Sequence, residues 1–214
     1  MSANWNIFKG DDRAWDELLN DLGQICVYQS SNWARHKSSA GWTHVRVIKT
    51  INNSQLAIQF LVRRAPFGIA MAWAPGGFGG DLEILDKDFS SSLKKLLSAR
   101  FLYVRFGMMI DFTPDKAALL SESGFTKSKN PIGAKQSMVL SVQTDEEKML
   151  SSASSNWKRN YKRSLRSAVA PYVWNDASPD QLESAYRLMD EYKKVDGVKL
   201  QMTAADIEST QKSF

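Results

Sequence analysis

Neighbouring strand-like runs joined by a short polar turn are the feature that most limits what this chain can fold into. Alternating apolar residues between 43 and 51 lead to an Asn-Asn-Ser turn at 52–54, and an apolar run follows at 56–62. Two strand patterns joined so closely predict an antiparallel β-hairpin. A further strand is predicted at 67–73, so the first half of the chain is expected to contain a sheet.

Helix-like patterns lie before and after these strands. The second of them is capped by Ser30 or Ser31 and ended by Gly41. The alternation predicts an α/β fold with a mixed, mainly antiparallel sheet flanked by helices. The predicted helices span residues 11–22, 30–41, 82–99, 116–123, 144–150, 156–166 and 178–194, with another starting at 203, and the other strands are predicted at 25–28, 101–106, 137–142 and 172–174.

The run at 156–166 combines positive charge with a row of apolar side chains. Five of its eleven residues are cationic and none is acidic. At helical spacing Trp157, Tyr161 and Leu165 form one stripe, and Lys158 and Lys162 begin a second row. A solvated basic face is one interpretation. The aromatic stripe, and arginines that can bind phosphate through two hydrogen bonds, favour a phosphate-bearing ligand.

Composition indicates a protein with a sizeable core and a preference for anionic partners. The chain has 214 residues and a formal charge of +5. Cys26 is the only cysteine, so an internal disulfide and a CxxC metal site are excluded. Its apolar runs fall well short of the ~20 residues of a membrane-spanning helix, and no leader pattern opens the chain. We therefore predict a cytoplasmic protein without a transmembrane segment. Peripheral contact with the membrane surface is compatible with this prediction.

Familiar catalytic constellations are missing from the sequence. With only His36 and His44, no zinc cluster is predicted, and His36 is interpreted as a surface residue. The glycines at 76–80 lack a following Lys-Ser or Lys-Thr pair, so they form no P-loop; a tight turn or a flexible loop beside a ligand is expected. Arg105 in an apolar strand needs a partner, either a structural ion pair or a ligand.

Five segments, in order, resemble the FemABX-type aminoacyltransferases. They are Gln29-Ser30 with Trp33-Ala34 and Lys37, the loop Ala74-Pro75-Gly76-Gly77 with the strand Tyr103-Val104-Arg105, the helix end Leu119-Leu120 with Gly124-Phe125, the strand from Ser137 to Leu140, and the basic segment Lys158-Arg159-Asn160-Tyr161-Lys162-Arg163-Ser164. The resemblance implies two GNAT-like folds per chain. It also implies transfer of an acyl or aminoacyl group to an amine of a cell-wall or polysaccharide precursor, as in peptidoglycan biosynthesis.

Domain boundaries and site residues follow from this resemblance together with the chemistry of the residues. We expect a first GNAT-like domain at 1–148, and at 149–214 the basic helix with the start of a second, incomplete one. Positioning and oxyanion stabilisation are expected to drive attack on an aminoacyl-tRNA or acyl-CoA donor. No catalytic base, metal or cofactor is predicted. The predicted substrate-binding residues for an anionic, diphosphate-bearing or nucleotide-sugar acceptor are Lys37, Arg159, Lys162, Arg163, Trp33, Tyr161 and Arg105, with the cations of the two helices meeting at one cleft.

A nucleic-acid-binding module without catalysis is the alternative function. Cations interleaved with Trp157 and Tyr161 suit phosphate contact combined with base stacking. The salt dependence of binding separates the two hypotheses, because RNA binding weakens steeply with salt and binding of a small diphosphate less so.

Overall fold

A computed structural model describes most of the chain. The described residues fall into two compact units, the first comprising those up to 129 together with 210 and 212, and the second those from 145 to 193. The strands predicted at 137–142 and 172–174, and the start of the helix predicted from 203, lie outside the described residues. The described residues are 4–24, 26–108, 113–129, 145–166 and 178–193, with 210 and 212.

Four helices of the first unit and three of the second are described. Those of the first are α1 (Asp12–Asp21), α2 (Ser31–Ser39), α3 (Phe89–Leu96) and α4 (Pro114–Glu122), and those of the second are α5 (Glu146–Ser152), α6 (Ser155–Leu165) and α7 (Pro179–Lys193). Short 3-10 turns occupy Val27–Gln29, Pro66–Gly68 and Leu82–Ile84. No helix among the described residues is long and apolar enough to cross a bilayer.

The first unit is built on one mixed sheet. Its strands are β1 (Asn6–Ile7), β2 (Thr43–Ile51), β3 (Ser54–Ala65), β4 (Ile69–Gly76), β5 (Gly79–Gly80) and β6 (Phe101–Met108). The strand order is β1-β2-β3-β4-β6, and β5 pairs with β3. Every pairing is antiparallel except that of β4 with β6, which is parallel. The predicted hairpin at 43–62 and the predicted α/β class with a mainly antiparallel sheet are confirmed.

Alternation along the strands gives the sheet two different faces. On one face Ile58, Phe60 and Ala72 pack with Phe89 and Leu93 of α3 in the main core. On the other face Ala57 packs with Trp15 and Leu19 of α1 in a smaller cluster. The helices α1 and α3 thus cover opposite faces of the sheet, and each contributes the apolar stripe that its sequence predicts.

Three of the four helices in the first unit, α1, α2 and α4, begin at side chains that cap their first amide groups. Asp11 accepts from the Ala14 N–H at 2.8 Å, Ser30 from that of Trp33 at 3.2 Å, and Thr113 from that of Lys116 at 3.4 Å. Such caps satisfy donors that have no partner within the helix. The prediction that Ser30 or Ser31 starts the second helix is confirmed, with Ser30 as the cap.

Three predicted elements differ from the structure. Residues 27–29 form a 3-10 turn rather than part of a strand, because Gln29 bonds the sheet through its side chain. The predicted helix at 82–99 begins only at Phe89, since a 3-10 turn at Leu82–Ile84 buries its apolar residues first. The apolar run at 101–106 predicts a buried strand, but in β6 the side chains of Phe101 and Tyr103 are more than half exposed.

Candidate functional site

The start of α2 is held in place by the buried side chain of Gln29. Its amide nitrogen donates to the carbonyls of Gln59 at 3.1 Å and Pro75 at 2.7 Å, and its oxygen accepts from the Gln59 N–H at 2.8 Å. The Gln29 carbonyl accepts from the indole of Trp15 at 2.9 Å. One side chain therefore ties the segment before α2 to both β3 and β4.

A second set of hydrogen bonds extends this anchor to α1 and β2. The side-chain amide of Gln59 donates to the Ser30 carbonyl at 2.8 Å, and its oxygen accepts from Nε of Arg46 at 2.9 Å. Arg46, only 6% exposed, also donates to Asp12 at 2.8 Å. Buried polar groups are tolerated when they are paired in this way, and the network fixes where α2 lies on the sheet.

Charges in this network alter two titrations. Partial burial raises the pKa of Asp12, but hydrogen bonds and charges from Arg46 and Arg35 outweigh it, so the pKa of Asp12 is lowered from 3.8. The pKa of His44 is lowered from 6.5 by partial burial and by the charge of Arg46, against an opposing effect of Asp12. His44 is therefore mainly neutral at pH 7.

Trp33 and Lys37 form an aromatic–cation pair on α2. The ammonium group of Lys37 lies 4.6 Å from the centroid of the Trp33 ring, as the four-residue spacing predicts. Tyr28 packs edge-on against the same ring at 4.8 Å, and His36 lies 5.3 Å from it. His36 is half-buried against this ring. The pair offers a cation beside an indole that is partly open to solvent.

Arg105 lies on the face of the sheet that α2 also covers. It is the register partner of Trp73 in the parallel β4–β6 pair, and the ring of Trp73 lies 5.9 Å from that of Trp42, just after α2. The half-buried guanidinium of Arg105 donates to Ser128 Oγ at 3.5 Å. The shared register with Trp73, whose ring contacts Trp42, places Arg105 on the same side of the sheet as α2 and its residues Trp33 and Lys37.

The glycine-rich segment after β4 is buried and tightly held. The amide of Gln24 donates to the carbonyls of Gly76 at 3.3 Å and Phe78 at 2.6 Å. Gly76 and Gly77 both have left-handed backbones, with φ of 79° and 87°. A Cβ at Gly76 would lie 2.5 Å from Sγ of Cys26. Because β4 and β5 both pair antiparallel with β3, the segment carries the chain onward along β3 and is not the tight turn that was one expectation from the sequence. The left-handed backbone and the contact with Cys26 require a glycine at 76.

In the second unit, α6 carries its aromatic side chains as a stacked pair. Ser154 caps the helix by accepting from the Trp157 N–H at 3.3 Å. The rings of Trp157 and Tyr161 lie 5.4 Å apart and within 9° of parallel, and Trp157 is 53% exposed. A flat aromatic surface on this helix therefore faces solvent, and its spacing is the one predicted from the sequence.

The cations of α6 line a shallow depression of about 500 Å³. Within the described residues, none of them forms a salt bridge with a carboxylate. Arg159 donates to the Asn156 side chain at 2.9 Å and Lys158 to the Ser151 carbonyl at 2.7 Å. The concentrated positive charge is suited to an anionic ligand. The residues lining the depression are Ser155, Lys158, Arg159, Lys162, Arg163 and Arg166.

The predicted site residues thus occupy two places. Trp33, Lys37 and Arg105 lie on one side of the first unit's sheet, and the others lie on α6. That they meet at one cleft stays a prediction. Sequence reasoning missed the anchoring roles of Gln59 and Arg46, for which the signal was a polar residue on each of two paired strands. Among the described residues no group of three or more His, Cys, Asp or Glu could hold a metal ion.

Comparison with known proteins gives a fold but no sequence relative. No protein-family model and no curated protein sequence matches the chain. The crystal structure of FemX is similar over 98% of the chain, with a TM-score of 0.69 and 16% identity. The match covers 55% of FemX, so the chain spans about half the length of that protein. The chain therefore has a FemABX-like fold, and the predicted GNAT-like sheet is confirmed.

Proposed function

We propose that this protein is an acyl- or aminoacyltransferase that acts on an amine of an anionic cell-wall or polysaccharide precursor. The similarity to FemX over nearly the whole chain supports this reaction class. The observation that carries the proposal is the surface of α6, where cations without a carboxylate partner among the described residues adjoin the stacked pair of Trp157 and Tyr161.

The chemistry of α6 favours an acceptor that combines phosphate with a ring. Guanidinium groups bind phosphate oxygens through paired hydrogen bonds, and an exposed indole can stack on a sugar or a base. A nucleotide sugar presents both groups. Arg159 is the proposed main contact to the diphosphate, with Lys162 and Arg163 in support and Tyr161 beside the ring.

The Trp33–Lys37 pair is proposed as the contribution of the first unit. The indole orients the Lys37 ammonium by a cation–π contact, so less side-chain freedom is lost when that ammonium binds an anion. The anchor around Gln29 holds the helix that carries both residues. Arg105, on the same side of the sheet, is proposed as a further contact to the acceptor.

The transfer step needs little beyond positioning. The acceptor amine attacks the carbonyl carbon of an aminoacyl-tRNA or acyl-CoA. A C–N bond forms, and the C–O bond of the ester or the C–S bond of the thioester breaks. The tRNA hydroxyl or the CoA thiol leaves, gaining a proton from solvent that balances the one the amine loses to solvent. Holding the reacting groups in line and stabilising the oxyanion supply the rate enhancement. No side chain is assigned as the base.

Titration of a nucleotide sugar into the full chain tests the proposal. Arg159→Ala and Lys37→Ala should each weaken binding about 10–100-fold, because each removes a charge-assisted hydrogen bond of about 1.5–3 kcal/mol. Thermal unfolding should change little, because Arg159 is exposed, Lys37 is half-buried, and surface cations of this kind contribute little stability. Lys87→Ala removes an exposed lysine outside both groups and should leave affinity unchanged. Unaltered affinity in Lys37→Ala would exclude that residue from the site.

A nucleic-acid-binding module is the second candidate, favoured by the same exposed basic–aromatic surface of α6. Binding of a short RNA would then weaken by orders of magnitude between about 50 and 200 mM salt. In that case Arg159→Ala would weaken RNA binding, and Lys37→Ala would have no effect. Transfer of an acyl group to an amine acceptor, followed by mass spectrometry, separates the enzyme from the binding module.

A further inference from the structure

The turn between β3 and β4 exposes apolar residues. All residues from Arg63 to Ile69 are exposed, and Phe67 at the turn has 85% of its surface open to solvent. Ile69, which begins β4, is 44% exposed. Burying an apolar ring is favourable in proportion to its area, so a phenylalanine this exposed points to a partner.

The exposure of Phe67 is built into the backbone. Its φ of 64° and ψ of 22° are left-handed, a conformation that a bulky side chain rarely adopts. The next residue, Gly68, accepts a hydrogen bond from the Arg100 N–H at 2.7 Å. A Cβ on Gly68 would lie 2.9 Å from Cβ of Arg100. The turn is thus fixed against the start of β6 and holds the Phe67 ring outward.

Neighbouring strand residues enlarge this surface. Phe101 is the register partner of Ile69 and is 57% exposed, and Tyr103, two residues further along β6, is 55% exposed. Because alternate residues of a strand share a face, Phe101 and Tyr103 lie on the same side. We call Phe67, Ile69, Phe101 and Tyr103 the apolar tip.

The segments that carry the apolar tip contain arginines and lysines but no acidic residue. Residues 22–80 contain no aspartate or glutamate, and neither do residues 89–110. Arg64 donates to the Leu97 carbonyl at 2.8 Å, which ties it to the end of α3, and the guanidinium of Arg100 lies 5.4 Å from the Phe101 ring. The cations in this part of the molecule are Arg63, Arg64, Lys94, Lys95 and Arg100.

We infer that the apolar tip inserts into the anionic surface of a lipid bilayer. A projecting turn with Phe67 at its end suits the boundary between headgroups and acyl chains, where aromatic side chains are favoured. The surrounding arginines and lysines suit acidic headgroups, each adding a favourable interaction near the surface. The inference rests on the first unit alone and is independent of the proposed transferase activity.

Flotation of the full chain with vesicles tests the inference. The protein should bind mixed vesicles, made of phosphatidylcholine and phosphatidylserine in a one-to-one ratio. It should bind vesicles of pure phosphatidylcholine more weakly. Phe67→Asn should lower the partition coefficient about tenfold through loss of buried apolar area. Asparagine tolerates the left-handed backbone, so the thermal midpoint should be unchanged or raised, which separates lost insertion from misfolding.

Two further variants identify what drives binding. Arg100→Gln should weaken binding to the mixed vesicles about fivefold and leave binding to phosphatidylcholine unchanged. Leu188→Asn is the matched control, because Leu188 is 68% exposed on α7 and lies outside the apolar tip. It should bind vesicles like the parent protein.

Three results would overturn the inference. One is a parent protein that does not bind the mixed vesicles. Another is equal binding by Phe67→Asn and parent, with binding lost instead in Arg159→Ala, which would assign membrane contact to α6. The last is a protein that does not bind vesicles but self-associates without lipid as its concentration rises, with Phe67→Asn abolishing this self-association. The apolar tip would then contact a second copy of the chain.

Discussion

The side chain of Gln29 forms with Gln59 the pair of hydrogen bonds that a neighbouring strand would form. Its oxygen accepts from the Gln59 N–H and its nitrogen donates to the Gln59 carbonyl. Strand β3 pairs with β4 from Leu61 onward and with β5 at Leu56 and Ala57, so Gln59 lies in the gap between them. Gln29 fills that gap and satisfies backbone groups that would otherwise be buried without a partner.

Replacing Gln29 should therefore destabilise the fold strongly. Gln29→Met keeps the approximate volume but leaves three backbone groups of Gln59 and Pro75 without this partner. Each buried unsatisfied group costs about 1–3 kcal/mol, so we expect a loss of about 3–5 kcal/mol in the free energy of unfolding, measured with urea. Gln55→Met, in a more exposed part of β3, should change it by less than about 0.5 kcal/mol. Equal effects would contradict the anchoring role.

The pair of Asp12 and Arg46 should make stability depend on pH. The pKa of Asp12 is lowered from 3.8 in the folded state. The contribution of its carboxylate to the free energy of unfolding is therefore fully present when the pH is well above 3.8. It is lost as the pH falls through the lowered pKa. Asp12→Asn should cost about 1–3 kcal/mol near neutral pH and flatten the acid limb of the stability curve. Asp88→Asn, an exposed carboxylate at the start of α3, should retain the slope of the parent protein.

Removing either partner of the ion pair between Lys49 and Asp86 should have unequal consequences. Lys49 is 3% exposed, whereas the Asp86 side chain is 37% exposed. Asp86→Ala leaves a buried ammonium group unpaired and should cost about 3–5 kcal/mol of unfolding free energy. Lys49→Met leaves a carboxylate that water can reach and should cost less, about 1–2 kcal/mol. A double variant as unstable as Asp86→Ala alone would contradict this account.

Two glycines with nearly the same backbone should respond differently to alanine. Gly76 and Gly41 have φ of 79° and 77°. An added Cβ meets Cys26 Sγ at 2.5 Å at Gly76 but nothing within 4 Å at Gly41. Gly41→Ala should cost only the left-handed backbone, about 1–2 kcal/mol, and Gly76→Ala about 3 kcal/mol or more, since overpacking adds to it. Urea unfolding measures the loss of unfolding free energy in each variant. Equal losses would show that the backbone at Gly76 can shift to accommodate the added Cβ.

Local patterns in the sequence determined most of the first unit's elements. The turn at Asn52 and Asn53 set the β2–β3 hairpin, Ser30 and Thr113 set helix starts, and the spacing of Trp33 and Lys37 brought them together. These features depend on residues within about one turn of each other, so periodicity and capping chemistry are sufficient to predict them.

Only the tertiary structure decided which polar residues are buried and which apolar residues are not. Gln29 and Arg46 are ordinary polar residues in the sequence, and they are buried because a gap in the strand pairing and the charge of Asp12 lie opposite them. Phe101 lies in an apolar run, yet it is exposed because it lies on the opposite side of β6 from Leu102 and Val104, which pack against the main core. Burial depends on partners distant in sequence, which local patterns do not contain.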